Sequence, residues 1–203
     1  MARTLSTSEV HSKESERIEK EIKHPLQHKW NLWFHQNEKS KLWEDSLVKL
    51  SSFDTVEDFW SLFNHIILPS NLPIGSDYSI FKDGVKPMWE DERNVQGGRW
   101  LINVRKHLKN SSLDDYWLET LLCLIGEAFD EEDNEVCGAV INIRKYTDKI
   151  GVWTSNSKNS ESNIKIGRKL KERLNIRDGI LGYEAHADTQ AKLGSSVPCL
   201  YQV

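Results

Sequence analysis

Residues 81–100 read FKDGVKPMWEDERNVQGGRW. A strand end runs into a tight-turn signal at Asp83-Gly84, and a loop follows that carries Trp89 beside Glu90, Asp91 and Glu92. Gly97-Gly98 breaks the loop, and a new strand starts at Arg99-Trp100. A large aromatic ring on a loop tip beside carboxylates suits the grip of a flat cationic ring with hydrogen-bond donors along one edge. The ring face attracts the cation and a carboxylate accepts from the edge. Read alone, the loop fits a buried Trp89 plug inside a solvated acidic loop better than it fits recognition.

Working outward, residues 78–81 and 99–104 are strands flanking the loop. Residues 137–144 and 149–154 form a hairpin across 145–148. On its first strand Val140, Asn142 and Arg144 share a face; on its second, Lys149, Gly151 and Trp153 do. Arg144 and Lys149 thus flank one turn, which suits a run of phosphates and equally suits two ordinary surface cations. Residues 29–35 alternate, with Trp30, Leu32 and Phe34 on one side and Asn31, Trp33 and His35 on the other, which predicts a strand with one buried face. A polar loop at 40–45 holds Trp43, a second candidate for an exposed ring. A last strand is expected at 180–184.

Three helices are expected. Residues 54–67 carry Asp54 and Glu57 as a capping box and an apolar arc of Val56, Phe59, Trp60, Phe63 and Ile66/Ile67. Phe59, Phe63 and Ile66 would suffice for a core, which leaves Val56 and Trp60 near the edge. They are either more core or a groove for a partner helix. Residues 112–126, capped by Ser112 with Asp115, and 164–174 are the others, with Gly167, Leu170 and Leu174 in register. Residues 130–135 lack the glycine and oxygen spacing of a calcium loop and read as a solvated loop. Strands in hairpins with three helices predict an α+β class built on an antiparallel sheet.

The chain of 203 residues fits one domain. Its net charge of −4 argues against a sequence-blind nucleic-acid binder, so any such role must use a few placed cations. With eight tryptophans against two methionines, some must exceed what one core needs, which makes aromatic recognition worth considering. Cys123, Cys137 and Cys199 are odd in number and far apart, which suits a reducing compartment rather than a disulfide framework. No metal or cofactor site and no catalytic constellation stands out. The N-terminus lacks an apolar leader core, and no apolar run would span a bilayer. The expected location is the cytoplasm, or also the nucleus. Residues 1–23 read as a disordered tail, 24–203 as the folded domain, and the segment from about 187 as weakly structured.

PMWEDE followed by GGRW resembles the cap-binding loop of the eukaryotic translation initiation factor 4E family. HPLQHKWNLWF, FDTVEDFWSLFNHI, DYSIFKDG, WLETLLCLIGEAFD, VCGAVINIR and DKIGVWT resemble that family in order and spacing, from His24 to about Ser196. The resemblance implies one curved antiparallel sheet of about eight strands with three helices on its convex face. It implies binding of the 7-methylguanosine cap of messenger RNA, with Trp43 and Trp89 stacking on the base, Glu90 accepting from its edge and Trp153 at the methyl group. Arg144 and Lys149 would meet the phosphates, with Arg99 and Asn142 as a supporting shell. His24, Pro25, Val56, Trp60, Leu118, Leu122 and Ile125 would receive a short helical motif of a scaffold initiation factor or competing repressor. Ser195 matches a phosphorylated serine. The implied role is a monomeric, non-enzymatic initiation factor; the alternative is a cap-binding repressor or a tissue-restricted paralogue with weak cap or scaffold binding. Two positions depart from the pattern: Tyr146 stands where the family often has lysine, and the tail after Ser195 lacks its usual basic residue.

Overall fold

The computed structural model describes residues 23–36, 46–106, 111–177, 179–191 and 198–203. Its centre is one eight-stranded, wholly antiparallel, curved sheet. The strands are β1 (Pro25–Gln36), β2 (Leu47–Thr55), β3 (Ser76–Lys82), β4 (Gly98–Arg105), β5 (Val136–Asn142), β6 (Thr147–Thr154), β7 (Gly182–Ala185) and β8 (Tyr201–Gln202). Their spatial order is β2-β1-β3-β5-β6-β4-β7-β8. The helices are α1 (Val56–His65), α2 (Ser111–Ile125), α3 (Ser160–Arg173) and the short α4 (His186–Gln190).

Alternation sorts the strands onto two faces. One face carries Trp30, Leu32, Tyr78, Ile80, Trp100, Ile102, Ile141, Ile150 and Val152. They join Phe59 of α1, Trp117 and Leu121 of α2, and Ile166 and Leu170 of α3 in a single buried cluster. Trp100 shows how closely a helix sits on the sheet. A Cβ on Gly167 would fall 2.4 Å from the Trp100 ring, so only glycine lets α3 approach the indole this closely. The Trp100 Nε1–H donates to the Asn163 carbonyl at 2.9 Å, so the buried indole is fully satisfied.

Several local expectations change. Helix α1 starts two residues later than expected: Thr55, not Asp54, is its N-cap, and the Thr55 hydroxyl accepts from the Asp58 amide at 3.2 Å. The reason is tertiary, because Asp54 belongs to β2, a strand the sequence reading leaves unassigned. Strand β2 is an edge strand with only Phe53 buried, so it carries no clean hydrophobic alternation. Strand β1 is covered on both faces: Asn31 and His35 are buried too. Asn31 donates to Asp83 at 2.8 Å and accepts from Ser52 at 2.8 Å, so a polar side is buried by pairing instead of by apolar contact. Helix α3 begins at Ser160, because Asn159 caps it by accepting from the Ser162 amide at 3.3 Å. Residues 130–135 form a 3-10 turn instead of a solvated loop, and Asp133 is buried within it. The tail expected to be weakly structured from 187 contains the rest of α4 and the strand β8, whose neighbour Val203 exchanges two backbone hydrogen bonds with Leu181 at 3.1 Å. The N-terminal segment before Lys23 lies outside the described residues.

Candidate functional site

The second face of the sheet is open. It holds a cleft of about 620 Å³ lined by His35, Leu47, Asp77, Ser79, Pro87, Met88, Trp89, Glu90, Arg99, Val140, Asn142, Arg144 and Trp153. Antiparallel register brings these distant positions into rows. One row runs His35, Asp77, Asn142, Lys149 across β1, β3, β5 and β6. Another runs Phe81, Gly138, Trp153, Arg99, Glu184 across β3, β5, β6, β4 and β7.

The second row builds the apolar end. Trp153 is buried and meets Phe81 edge-on at 5.4 Å. Its other neighbour is the His186 ring, 4.2 Å away. Between the Phe81 and Trp153 positions, Gly138 leaves room: a Cβ there would lie 2.6 Å from the Phe81 ring and 2.3 Å from a backbone oxygen. Trp89 leans on this small cluster, half-buried, with Glu90 exposed beside it. Neither of the two plain alternatives for the loop holds in full, since Trp89 is partly packed and partly presented to the cleft.

The loop is held by Asp91, the middle carboxylate. Asp91 accepts from the amides of Lys86 at 2.9 Å and Arg93 at 3.0 Å. Asn94, fully buried, donates to the carbonyls of Lys86 and Met88, each at 2.8 Å. Trp89 and Glu90 therefore sit on a turn that is held by hydrogen bonds of its own. The acidic run divides its labour. Asp91 builds the loop, while Glu90 is left facing the cleft.

The polar end carries charges already paired. Arg99 contacts Glu184 at 3.3 and 3.0 Å, and Arg144 grips Asp77 with two bonds of 2.6 and 3.2 Å. Asp77 also lies 3.5 Å from His35 Nδ1. The Arg144 amide donates to Asp148 at 2.8 Å, which fixes the start of the hairpin turn. Lys149 does not line the cleft itself, but it stands cross-strand from Asn142, which does, so both project on one side. Tyr146 is 75% exposed, with Lys145 Nζ 5.2 Å above its ring. Burial, with the Arg99 charge second, pushes the His186 imidazole down to about 3, so it is neutral at physiological pH.

Of the residues expected in the cleft, Trp89, Glu90, Trp153, Arg144, Arg99 and Asn142 come together in it. Trp43 and Ser195 lie outside the described residues. The sequence reading missed His35 and Asp77 as cleft residues. The available signal was the polar alternation Asp77-x-Ser79 against Tyr78, Ile80 and Phe81.

The helix side of the sheet carries the second expected surface. Val56 and Trp60 are each 37% exposed, which favours the groove over more core. The Trp60 ring packs on Phe59 at 5.1 Å and Phe63 at 6.0 Å and leaves an edge in solvent. Glu57 ties His24 to the start of α1, accepting from its amide at 2.9 Å and contacting its ring at 2.6 Å. That His24 contact holds the Glu57 carboxyl down at about 2. Leu118 and Leu122 of α2 are half-buried against the core, and Ile125 is buried.

The family model described as eukaryotic initiation factor 4E matches residues 25–197. Among similar curated proteins is human eukaryotic translation initiation factor 4E, 58% identical over 176 residues, covering 86% of this chain and 81% of the human protein. Among solved structures, Ascaris suum eIF4E-3 with an m2,2,7G cap is 48% identical, with a TM-score of 0.84 over 90% of this chain and 99% of that one. The complex of C. elegans eIF4E-3 with the 4E-binding protein Mextli and cap analog is also 48% identical, with a TM-score of 0.83 over 90% of this chain and all of that one, 100%. A family model spanning most of the chain and a relative this similar over most of its length lead to one conclusion: the chain belongs to the eukaryotic initiation factor 4E family.

Proposed function

We propose that this chain binds the 7-methylguanosine cap of messenger RNA in the open cleft and recruits a scaffold initiation factor on its helix side. The observation that carries the reading is the cleft itself, which has a presented Trp89 and Glu90 at one end and Arg144 and Asn142 at the other. A methylated guanine is cationic and flat and has N–H donors on one edge. Trp89, with Trp43 as the opposing ring, stacks on its faces, Glu90 accepts from its edge and Trp153 meets the methyl group. Arg144, Lys149, Arg99 and Asn142 serve the phosphate end. Among the solved relatives, the Ascaris protein carries a cap and the C. elegans protein both a cap analog and a 4E-binding protein.

The partner surface of this proposal is His24, Pro25, Val56, Trp60, Leu118, Leu122 and Ile125, with a short amphipathic helix as occupant and a scaffold factor or a competing repressor as its source. The role is that of an initiation factor acting without turnover of the cap, in the cytoplasm. Ser195 is its candidate phosphorylation site. Among the described residues no helix is long and apolar enough to cross a membrane.

Quenching of intrinsic tryptophan fluorescence by m7GTP and by GTP tests the reading. The methylated nucleotide should bind far more tightly, and Trp89→Ala should remove one stack, about 1–3 kcal/mol. Equal affinity for the two nucleotides would overturn it.

A further inference from the structure

The row His35, Asp77, Asn142, Lys149 puts an imidazole at the end of the candidate phosphate ligands, with one carboxylate between. Arg144 Nη2 reaches Asp77 Oδ2 at 3.2 Å, and His35 Nδ1 lies 3.5 Å from that same oxygen. The side chains of His35 and Asp77 are 8% and 11% exposed, whereas that of Arg144 is 43% exposed and, besides Asp77, donates to the Ile143 carbonyl at 3.1 Å. Asp77 is thus shared between a buried ring and a half-exposed guanidinium. We propose that His35 is a positioning residue for the phosphate end of the ligand: in its protonated form it draws on Asp77 and releases Arg144 to the phosphates. This rests on the cap-binding reading and adds to it a residue and a direction of pH dependence.

The charge balance explains the direction. With a neutral imidazole, Asp77 and Arg144 form a closed pair that contributes little positive field to the cleft. A proton on His35 gives Asp77 a second cationic partner. The pair opens more easily, and the cleft gains one positive charge where an anionic chain lies. Glu90 and Arg99 are other charged groups that line the same cleft, and Lys49 on β2 stands cross-strand from Trp33. From β2, the residue opposite His35 itself is the uncharged Leu47. Glu90 stands at the base end, and Arg99 is held by Glu184, so Asp77 is the carboxylate in contact with the ring.

The test is calorimetric titration of m7GpppG at about pH 7.8 and at about pH 5.8. Both ends of this triphosphate are esterified, so no terminal phosphate titrates. Ionisation of the base is common to every protein tested and cancels in a ratio. The wild-type affinity divided by that of His35→Phe should rise about twofold to fivefold on acidification, the size of a part-exposed charge pair. With 7-methylguanosine nucleoside, which has no phosphate, the ratio should stay constant. His35→Asn, polar and unable to titrate, serves if the phenylalanine variant fails to fold and should behave in the same way. Parallel pH profiles in wild type and variant would overturn the inference and leave cap binding intact. A shift of equal size with the nucleoside would also overturn it, because the ring would then act on the base. Failure of all the proteins to bind at both pH values would instead remove the cap reading, and this inference with it.

Discussion

The two faces of the sheet are made from the same strands, residue by residue, and they solve opposite problems. The helix-packed face buries tryptophans such as Trp30, Trp100 and Trp117 completely in one continuous cluster. Among the described residues the open face has a small buried apolar cluster of Phe81, Val85, Cys137 and Trp153, with Trp89 and Val140 packed against it, and beside it stand side chains held by polar partners: Arg144 by Asp77, Arg99 by Glu184, Asn31 by Asp83. One face stores stability; the other stores orientation, with pairs and turns set before any ligand arrives. Tryptophan serves both, so its role follows from the face it stands on and not from its hydrophobicity.

Replacing a ring on the packed face should produce the largest effect. Trp100→Ala removes a fully buried indole and its bond to Asn163, and should cost about 3–5 kcal/mol in urea unfolding. Cap affinity of the molecules that remain folded should hardly change. A large loss of affinity with little loss of stability would break the contrast between the faces.

Trp60→Ala examines the outer layer of the same side. Removing a central aromatic anchor should weaken a helical scaffold peptide by about 2 kcal/mol or more. The stability loss should be near 1 kcal/mol, because the ring is 37% exposed and packs edge-on against Phe59 and Phe63. A collapse of the thermal melt would place Trp60 in the core instead.

The open face should show itself in acid. His186 is held neutral by burial, with a folded-state pKa of about 3 against 6.5 for the free group. The unfolded chain therefore binds the extra proton first. Stability is fully present above about pH 6.5 and is lost as pH falls towards 3, about 1.4 kcal/mol per unit. Asp133 works in the opposite sense. Burial, with the Glu127 charge second, raises it to about 6, so the folded state gains stability as pH falls from 6 to its free value of 3.8. The change in unfolding free energy from pH 7 to pH 5 should thus be more favourable in His186→Asn than in wild type, by about 2 kcal/mol. Asp133→Asn should make the acid loss steeper. Unchanged pH profiles in both variants would refute this assignment of the two groups.

The smallest effect belongs to the phosphate end. Tyr146 projects into solvent beside the turn that Arg144 begins, and Arg144 is itself engaged by Asp77. Few cations are available there, so m7GTP should exceed m7GMP only modestly in affinity. Tyr146→Lys should widen that gap by up to about 1 kcal/mol and steepen the salt dependence. A large triphosphate preference in the unmodified protein, with nothing added by the lysine, would show that the phosphates are held elsewhere.

The sequence by itself determined the α+β class, the three main helices, the hairpin that carries Arg144 and Lys149, and the loop that presents Trp89 and Glu90. These follow from periodicity and turn chemistry, which act over a few residues. It did not reveal β2, because an edge strand needs no buried face and leaves no alternation to read. It also missed the closing of β1 on both sides. Hydropathy treats Asn31 and His35 as solvent-seeking, yet polar groups are buried readily once a partner is supplied. Those partners come from elsewhere in the chain: Asp83 lies 52 residues from Asn31, and Asp77 lies 67 residues from Arg144. Only the register of the antiparallel strands decides such pairs, and so the tertiary structure alone decided that His35 and Arg144 share one carboxylate.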